Sequence, residues 1–168
     1  MNTDLVSLCR AWDEWALTAD RSEDGWQSDF PQWNKLMSSA CAAMLDAKAH
    51  HTMYPQIELC WQVSEETEDL VECARKHIED CWEVVQQLAH SRQPDVRWQV
   101  FSVLPTAGRR GEPLLRAGLN DSDAYCRRRA LMALGELGPE DALELKKRFL
   151  QDSDAGVRHA AASLKVYQ

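Results

Sequence analysis

The chain has 168 residues, 45% of them apolar and 27% charged, with 7 glycines and 6 prolines, the profile of one folded globular domain spanning 1–168. Its formal charge of -8 is unevenly divided: residues 1–93 hold 7 basic and 17 acidic side chains, and residues 94–168 hold 12 and 10. No apolar run approaches the length of a membrane span, and the acidic first half either repels a phosphate backbone and attracts a basic partner or serves only to keep the protein soluble.

The N-terminus reads MNTDLVSLCRAWDEW, with no basic start, no sustained apolar stretch and no small-residue cleavage site, so no secretion signal is expected. Leu5, Leu8, Cys9, Trp12, Trp15 and Ala16 form one stripe of a helix over 4–18, capped by Thr3 or Asp4. A polar, glycine-containing loop follows. Asp29 is placed to cap a second helix, with Pro31 in its first turn and Trp33, Leu36, Met37, Ala40, Cys41 and Met44 on its buried face. Segment 49–64 fits either a strand or a helix, and its all-helical neighbourhood favours helix. Glu65, Glu66 and Glu68 then suit a first turn. Leu70, Cys73, Ala74, His77, Ile78, Cys81, Val85 and Leu88 carry one stripe to about residue 90.

From residue 94 the chain repeats. Val96, Cys126 and Val157 share one position, Arg97, Arg127 and Arg158 the next, and Val100, Ala130 and Ala161 lie four residues after the first. A period near thirty residues with a helical pattern in each half signals stacked helix pairs. With Asp95-Val96-Arg97, Asp123 through Arg127, Asp154 through Arg158 and the Ala130–Gly135 run, the segment resembles the HEAT family in its short bacterial form. That resemblance implies an all-α fold, a right-handed α-solenoid of HEAT-like helix pairs with about eight helices. It further implies that acid and arginine at these positions pair between adjacent repeats. The third repeat stops at Gln168 before a second helix, and residues 1–93 read as degenerate repeats or a cap.

Six cysteines at 9, 41, 60, 73, 81 and 126 show no C-x-x-C pair, so free thiols in a cytoplasmic protein are expected, mostly as small core residues. Cys73, His77 and Cys81 share a helix face, but the outer two would stand about 12 Å apart on a helix, and core packing suits them better than a metal. His50 and His51 read as a solvated loop pair. The triplets Arg127-Arg128-Arg129 and Lys146-Lys147-Arg148 could follow a phosphate backbone, yet three adjacent residues span about 300° of a helix. No phosphate-binding glycine loop, His-Glu-x-x-His or Gly-x-Ser-x-Gly motif is present, so no catalytic residue, metal or cofactor is assigned.

Five of the seven tryptophans precede residue 62. Trp12 and Trp33 suit the core. Trp26 lies in an acidic loop with few apolar neighbours, and either folds back onto the first two helices or waits exposed for a partner. Asp20, Glu23, Asp24, Trp26 and Asp29 are therefore the candidate partner-binding residues, an aromatic ringed by acids. Size, acidity and the missing catalytic motif lead to a non-catalytic protein that binds a basic protein partner, in its sharpest form a bacterial immunity protein neutralising a toxin. The alternatives are a HEAT-like nucleic-acid-binding or base-excising protein, and an assembly or lyase-like subunit.

Overall fold

The structure is a computed structural model that describes residues 3–64 and 68–166. Among these residues every regular element is helical: ten α-helices and two 3-10 segments. Glu65 and Glu66, expected to open a helix, lie outside the described residues. The chain forms two compact units, Met1–Val96 and Arg97–Gln168. None of the described helices is long and apolar enough to cross a membrane.

The first unit contains α1 (Thr3–Ala16), a 3-10 turn (Trp26–Asp29), α2 (Trp33–Leu45), α3 (His50–Val63), α4 (Asp69–Lys76) and α5 (Trp82–Leu88). Leu5, Leu36, Met44, Ile57, Cys60, Trp61, Leu70, Val85 and Leu88 are fully buried. The Trp61 indole N–H donates to Met44 Sδ at 3.3 Å, and that of Trp33 reaches from α2 to the Asp69 carboxylate on α4 at 3.1 Å. Segment 49–64 is helical and tolerates Pro55. Four expectations need correction. Asp29 does not cap α2; it closes the 3-10 turn. Phe30, which precedes Pro31, is held extended at φ -57°, ψ 123°, which keeps it out of the helix; the N-cap position falls on Gln32, at φ -112°, ψ 20°, and α2 starts at Trp33. The stripe over 68–90 is two helices, broken at His77–Cys81 in a way that keeps the same face buried. His50 is no solvated loop residue but the first residue of α3, 3% exposed.

The fourth correction concerns the thiols. Cys41 of α2 and Cys73 of α4 form a disulfide, while Cys9, Cys60, Cys81 and Cys126 are buried thiols outside it. The spacing of 32 residues gives no local cue; only the pairing of α2 with α4 brings the two together. A cytoplasmic placement that rested on six free thiols loses that support, since disulfides persist in oxidising surroundings.

The unit boundary falls within α6 (Pro94–Val103); the second unit continues through a 3-10 segment (Leu104–Arg110), α7 (Glu112–Gly118), α8 (Ala124–Leu137), α9 (Ala142–Phe149) and α10 (Ala155–Ser163). α7 packs on α8, and α10 packs on both α8 and α9. The repeat register holds: Cys126, Val157, Val100, Ala130 and Ala161 are each 0% exposed. Gly118 is required where α7 presses against its neighbours, because a Cβ there would lie 2.8 Å from the Phe101 ring and 3.0 Å from Ala130 Cβ. Gly138 ends α8 at φ 61°, a left-handed residue that suits glycine.

Two outcomes are expected from this packing. Ala130→Glu places an unpaired carboxylate where no space or partner exists, at a cost of several kcal/mol, comparable with the whole stability of a domain. Circular dichroism should show loss of the cooperative melt; an unchanged melting temperature would refute the register. Reduction, or Cys41→Ser with Cys73→Ser, should remove about 3–4 kcal/mol by releasing the closed loop in the unfolded chain. Urea unfolding with and without reductant measures it, and coincident curves would show that the cross-link contributes nothing.

Candidate interaction surfaces

The loop at 20–29 is built on α1. Arg21 donates to the Ala16 carbonyl at 2.6 Å, turning the chain back over the end of that helix. Gly25 takes φ 78° and starts the 3-10 turn that carries Trp26. The Trp26 ring stacks on Trp15 at 5.7 Å and 20°, tilts against Trp12 at 6.1 Å, and lies 4.7 Å below the Arg21 guanidinium. Phe30, buried, packs on Trp15 from the other side of the turn at 5.5 Å. Trp26 thus folds back and is half-buried, while Asp20, Glu23, Asp24 and Asp29 are all exposed. The Ser22 hydroxyl and N–H hold the Asp20 carboxyl below the usual carboxylate range. The five residues singled out in the sequence therefore share one short segment, with the acids in solvent and the indole seated on an aromatic platform.

In the second unit the arginines divide by role. Arg97 donates through Nε and Nη2 to both oxygens of Asp121, at 2.7 and 2.8 Å. Arg127 does the same to Asp152, at 3.0 and 2.9 Å. These acids stand two residues before those expected to pair. Asp123 and Asp154 are occupied as helix caps, accepting from the N–H of Cys126 at 2.9 Å and Val157 at 3.0 Å. Arg158 donates instead to the carbonyls of Asp152 and Ser153. Lys146 caps the carbonyls of Ala162 and Leu164, and Arg148 reaches Asn120, so much of the second basic triplet is structural as well.

The remaining two arginines of the first triplet make a second surface, whose aromatic partners the sequence reading missed. Tyr125 of α8 meets Trp98 of α6 edge-on at 5.2 Å. The Arg129 guanidinium stands 5.1 Å from both rings and donates to the Tyr125 hydroxyl at 2.9 Å; that of Arg128 lies 4.8 Å from Tyr125. Beside them a groove of about 670 Å³ runs between α8 and α10, lined by Arg128, Met132, Glu136, Gly156, His159 and Lys165 among others. Spacing of Tyr125, Arg128, Arg129 and Met132 by three and four residues was the available signal. The Cys73–His77–Cys81 set is not a metal site. Cys73 is spent in the disulfide, Cys81 Sγ bonds the His77 carbonyl at 3.2 Å, and burial pushes the Cys81 thiol up to about 11.

The Arg–Asp pairs carry a pH dependence. Burial alone would raise the Asp121 carboxyl, but Arg97 and the Asp123 N–H outweigh it and hold it low; Arg127 holds Asp152 low. A carboxyl depressed in the folded state contributes stability above its unfolded value of about 3.9 and loses it as pH falls further. Melting temperature should therefore stay level from neutral pH to about 5 and fall below about 4. Asp152→Asn should cost about 2 kcal/mol at neutral pH, since Arg127 loses its charged partner but keeps the carbonyls of Asp121 and Ser122, and should flatten the acid limb. Acid unfolding identical to that of the parent protein would refute this.

No curated protein matches the chain. Residues 82–165, half of its length, match the family model described as HEAT repeats, in the segment where the Asp-Ser-Asp turns and their arginines recur. The chain belongs to the HEAT repeat family.

Proposed function

We propose that this HEAT repeat protein is a non-catalytic binding module that docks a basic protein through the 20–29 loop. The observation that carries the reading is Trp26, fixed at 5.7 Å on Trp15 and rimmed by the exposed Asp20, Glu23, Asp24 and Asp29. A large aromatic already ordered in the free protein loses little rotamer freedom on binding, and surrounding acids select the charge of the partner. The narrower form is a bacterial immunity protein that occludes a toxin; its support is the acidity of residues 1–93. A second reading, nucleic-acid binding, is favoured by one observation, the two arginines stacked on Tyr125 and Trp98.

A pulldown with the intact protein from its source cell, followed by kinetics on what it recovers, separates the two. Glu23→Gln with Asp24→Asn should slow association and weaken its salt dependence while leaving stability within about 0.5 kcal/mol, as for surface changes in general. Trp26→Ala should lose about 2 kcal/mol of affinity in the folded protein, besides the smaller stability lost with the stacked pair. Recovery of nucleic acid, with binding abolished by Arg128→Ala and Arg129→Ala instead, would establish the second reading and sink the first.

A further inference from the structure

A separate site lies in the first unit, where the start of α3 meets the start of α5. His50 Nε2 is 3.2 Å from His51 Nε2 and 3.2 Å from Glu83 Oε2, and His51 Nε2 is 3.8 Å from the same oxygen. Two imidazole nitrogens and a carboxylate oxygen therefore converge on one point, from positions 33 residues apart in sequence. Ligands bonded to a tetrahedral ion at 2.0–2.2 Å stand about 3.3–3.6 Å from one another; the three distances here, 3.2, 3.2 and 3.8 Å, bracket that spacing, and a small rotation of the exposed His51 and Glu83 side chains closes the difference. The His50 side chain is 4% exposed, and its Nδ1 is buried without a hydrogen-bond partner. All compensation for burying that ring runs through Nε2, the nitrogen aimed at the shared point. His51 and Glu83 are 69% and 70% exposed, so the point is open to ions and to water on one side.

We infer that His50, His51 and Glu83 bind one divalent transition-metal ion, zinc by the chemistry of the donors. Imidazole nitrogens select zinc and its neighbours over magnesium or calcium, and the single carboxylate offsets half of the ion's charge. The excess of acids over residues 1–93 draws a cation toward this unit from a distance. Three protein ligands with one open side leave the fourth position to water. The ion joins the first turn of α3 to the first turn of α5. Because it binds only the folded arrangement, it stabilises that arrangement.

The test uses the intact, disulfide-bonded protein without a polyhistidine tag, with zinc and cobalt(II) as probes. One zinc per chain is expected by titration calorimetry, with a melting temperature raised by zinc and returned by a chelator. Cobalt should give the visible absorption of a four-coordinate ion without a sulfur charge-transfer band. Changing outer-shell partners alone weakens metal sites by about 10–100-fold, so His51→Ala and Glu83→Gln, at exposed positions, should each weaken zinc by at least ~100-fold with an unchanged circular dichroism spectrum. A sulfur charge-transfer band would put the ion on the cysteine thiols and overturn the assignment. So would a zinc affinity in either variant equal to that of the parent protein, or no uptake at equimolar zinc.

Discussion

The repeat stack hangs on one carboxylate per repeat. Asp121 receives both arms of Arg97 and, through Oδ1, the N–H of Asp123; Asp152 receives Arg127 and the N–H of Asp154 in the same way. Each Asp-Ser-Asp turn is gripped a second time, because Arg127 and Arg158 donate to the carbonyls of residues 121–122 and 152–153. The arginine of one repeat thus fixes its own turn by the backbone and the next turn by the side chain. The turn in turn sets the helix cap, and the cap sets where α8 and α10 begin. With side-chain exposures of 13% and 8% for the first pair and 15% and 10% for the second, these ions are sheltered enough for geometry to matter more than screening.

Such an arrangement was largely visible in the sequence because it repeats. Three copies of an arginine beside a buried apolar position, thirty and thirty-one residues apart, gave the register, and the burial of Val100, Ala130 and Ala161 agrees with it. The error was in pairing, one acid for another two residues away. A pattern of Asp-Ser-Asp offers two carboxylates, and only the backbone geometry of the cap shows which one is already used. The first unit has no repeat to average over, and there the reading blurred. A stripe keeps its phase across the break at His77–Cys81, so α4 and α5 read as one helix. Proline acts on the residue before it and keeps Phe30 out of α2, while the cap falls on Gln32, whose side chain carries no capping signal.

Of the surfaces, the acidic loop was legible because it is local: its residues fall within ten positions, and their type alone suggested what they share. What could not be read was that Trp12 and Trp15 rise to meet Trp26, which depends on where α1 ends. The Tyr125–Trp98 pair with Arg128 and Arg129 is assembled across two repeats, and the triplet of arginines hid it. Three neighbours look like one patch in sequence, yet Arg127 faces Asp152 and the other two face the rings. Pairings across long intervals were the least legible of all. Neither the Cys41–Cys73 bond nor the approach of Glu83 to His50 leaves any trace in spacing.

That bond also changes what the chain would feel under tension. Pulled from its ends, the polypeptide can extend only through residues outside the closed loop. The 32-residue interval between Cys41 and Cys73 would be bypassed by a single 6.3 Å step between their Cα atoms. Fully stretched, that interval would otherwise span about 110 Å. The whole of α3, with Ile57 and Trp61 at the centre of the first unit's core, lies inside the hidden length. A mechanical load, such as a translocating or degrading machine would apply, would therefore meet α3 as part of a closed ring that has to be dragged through as a doubled chain.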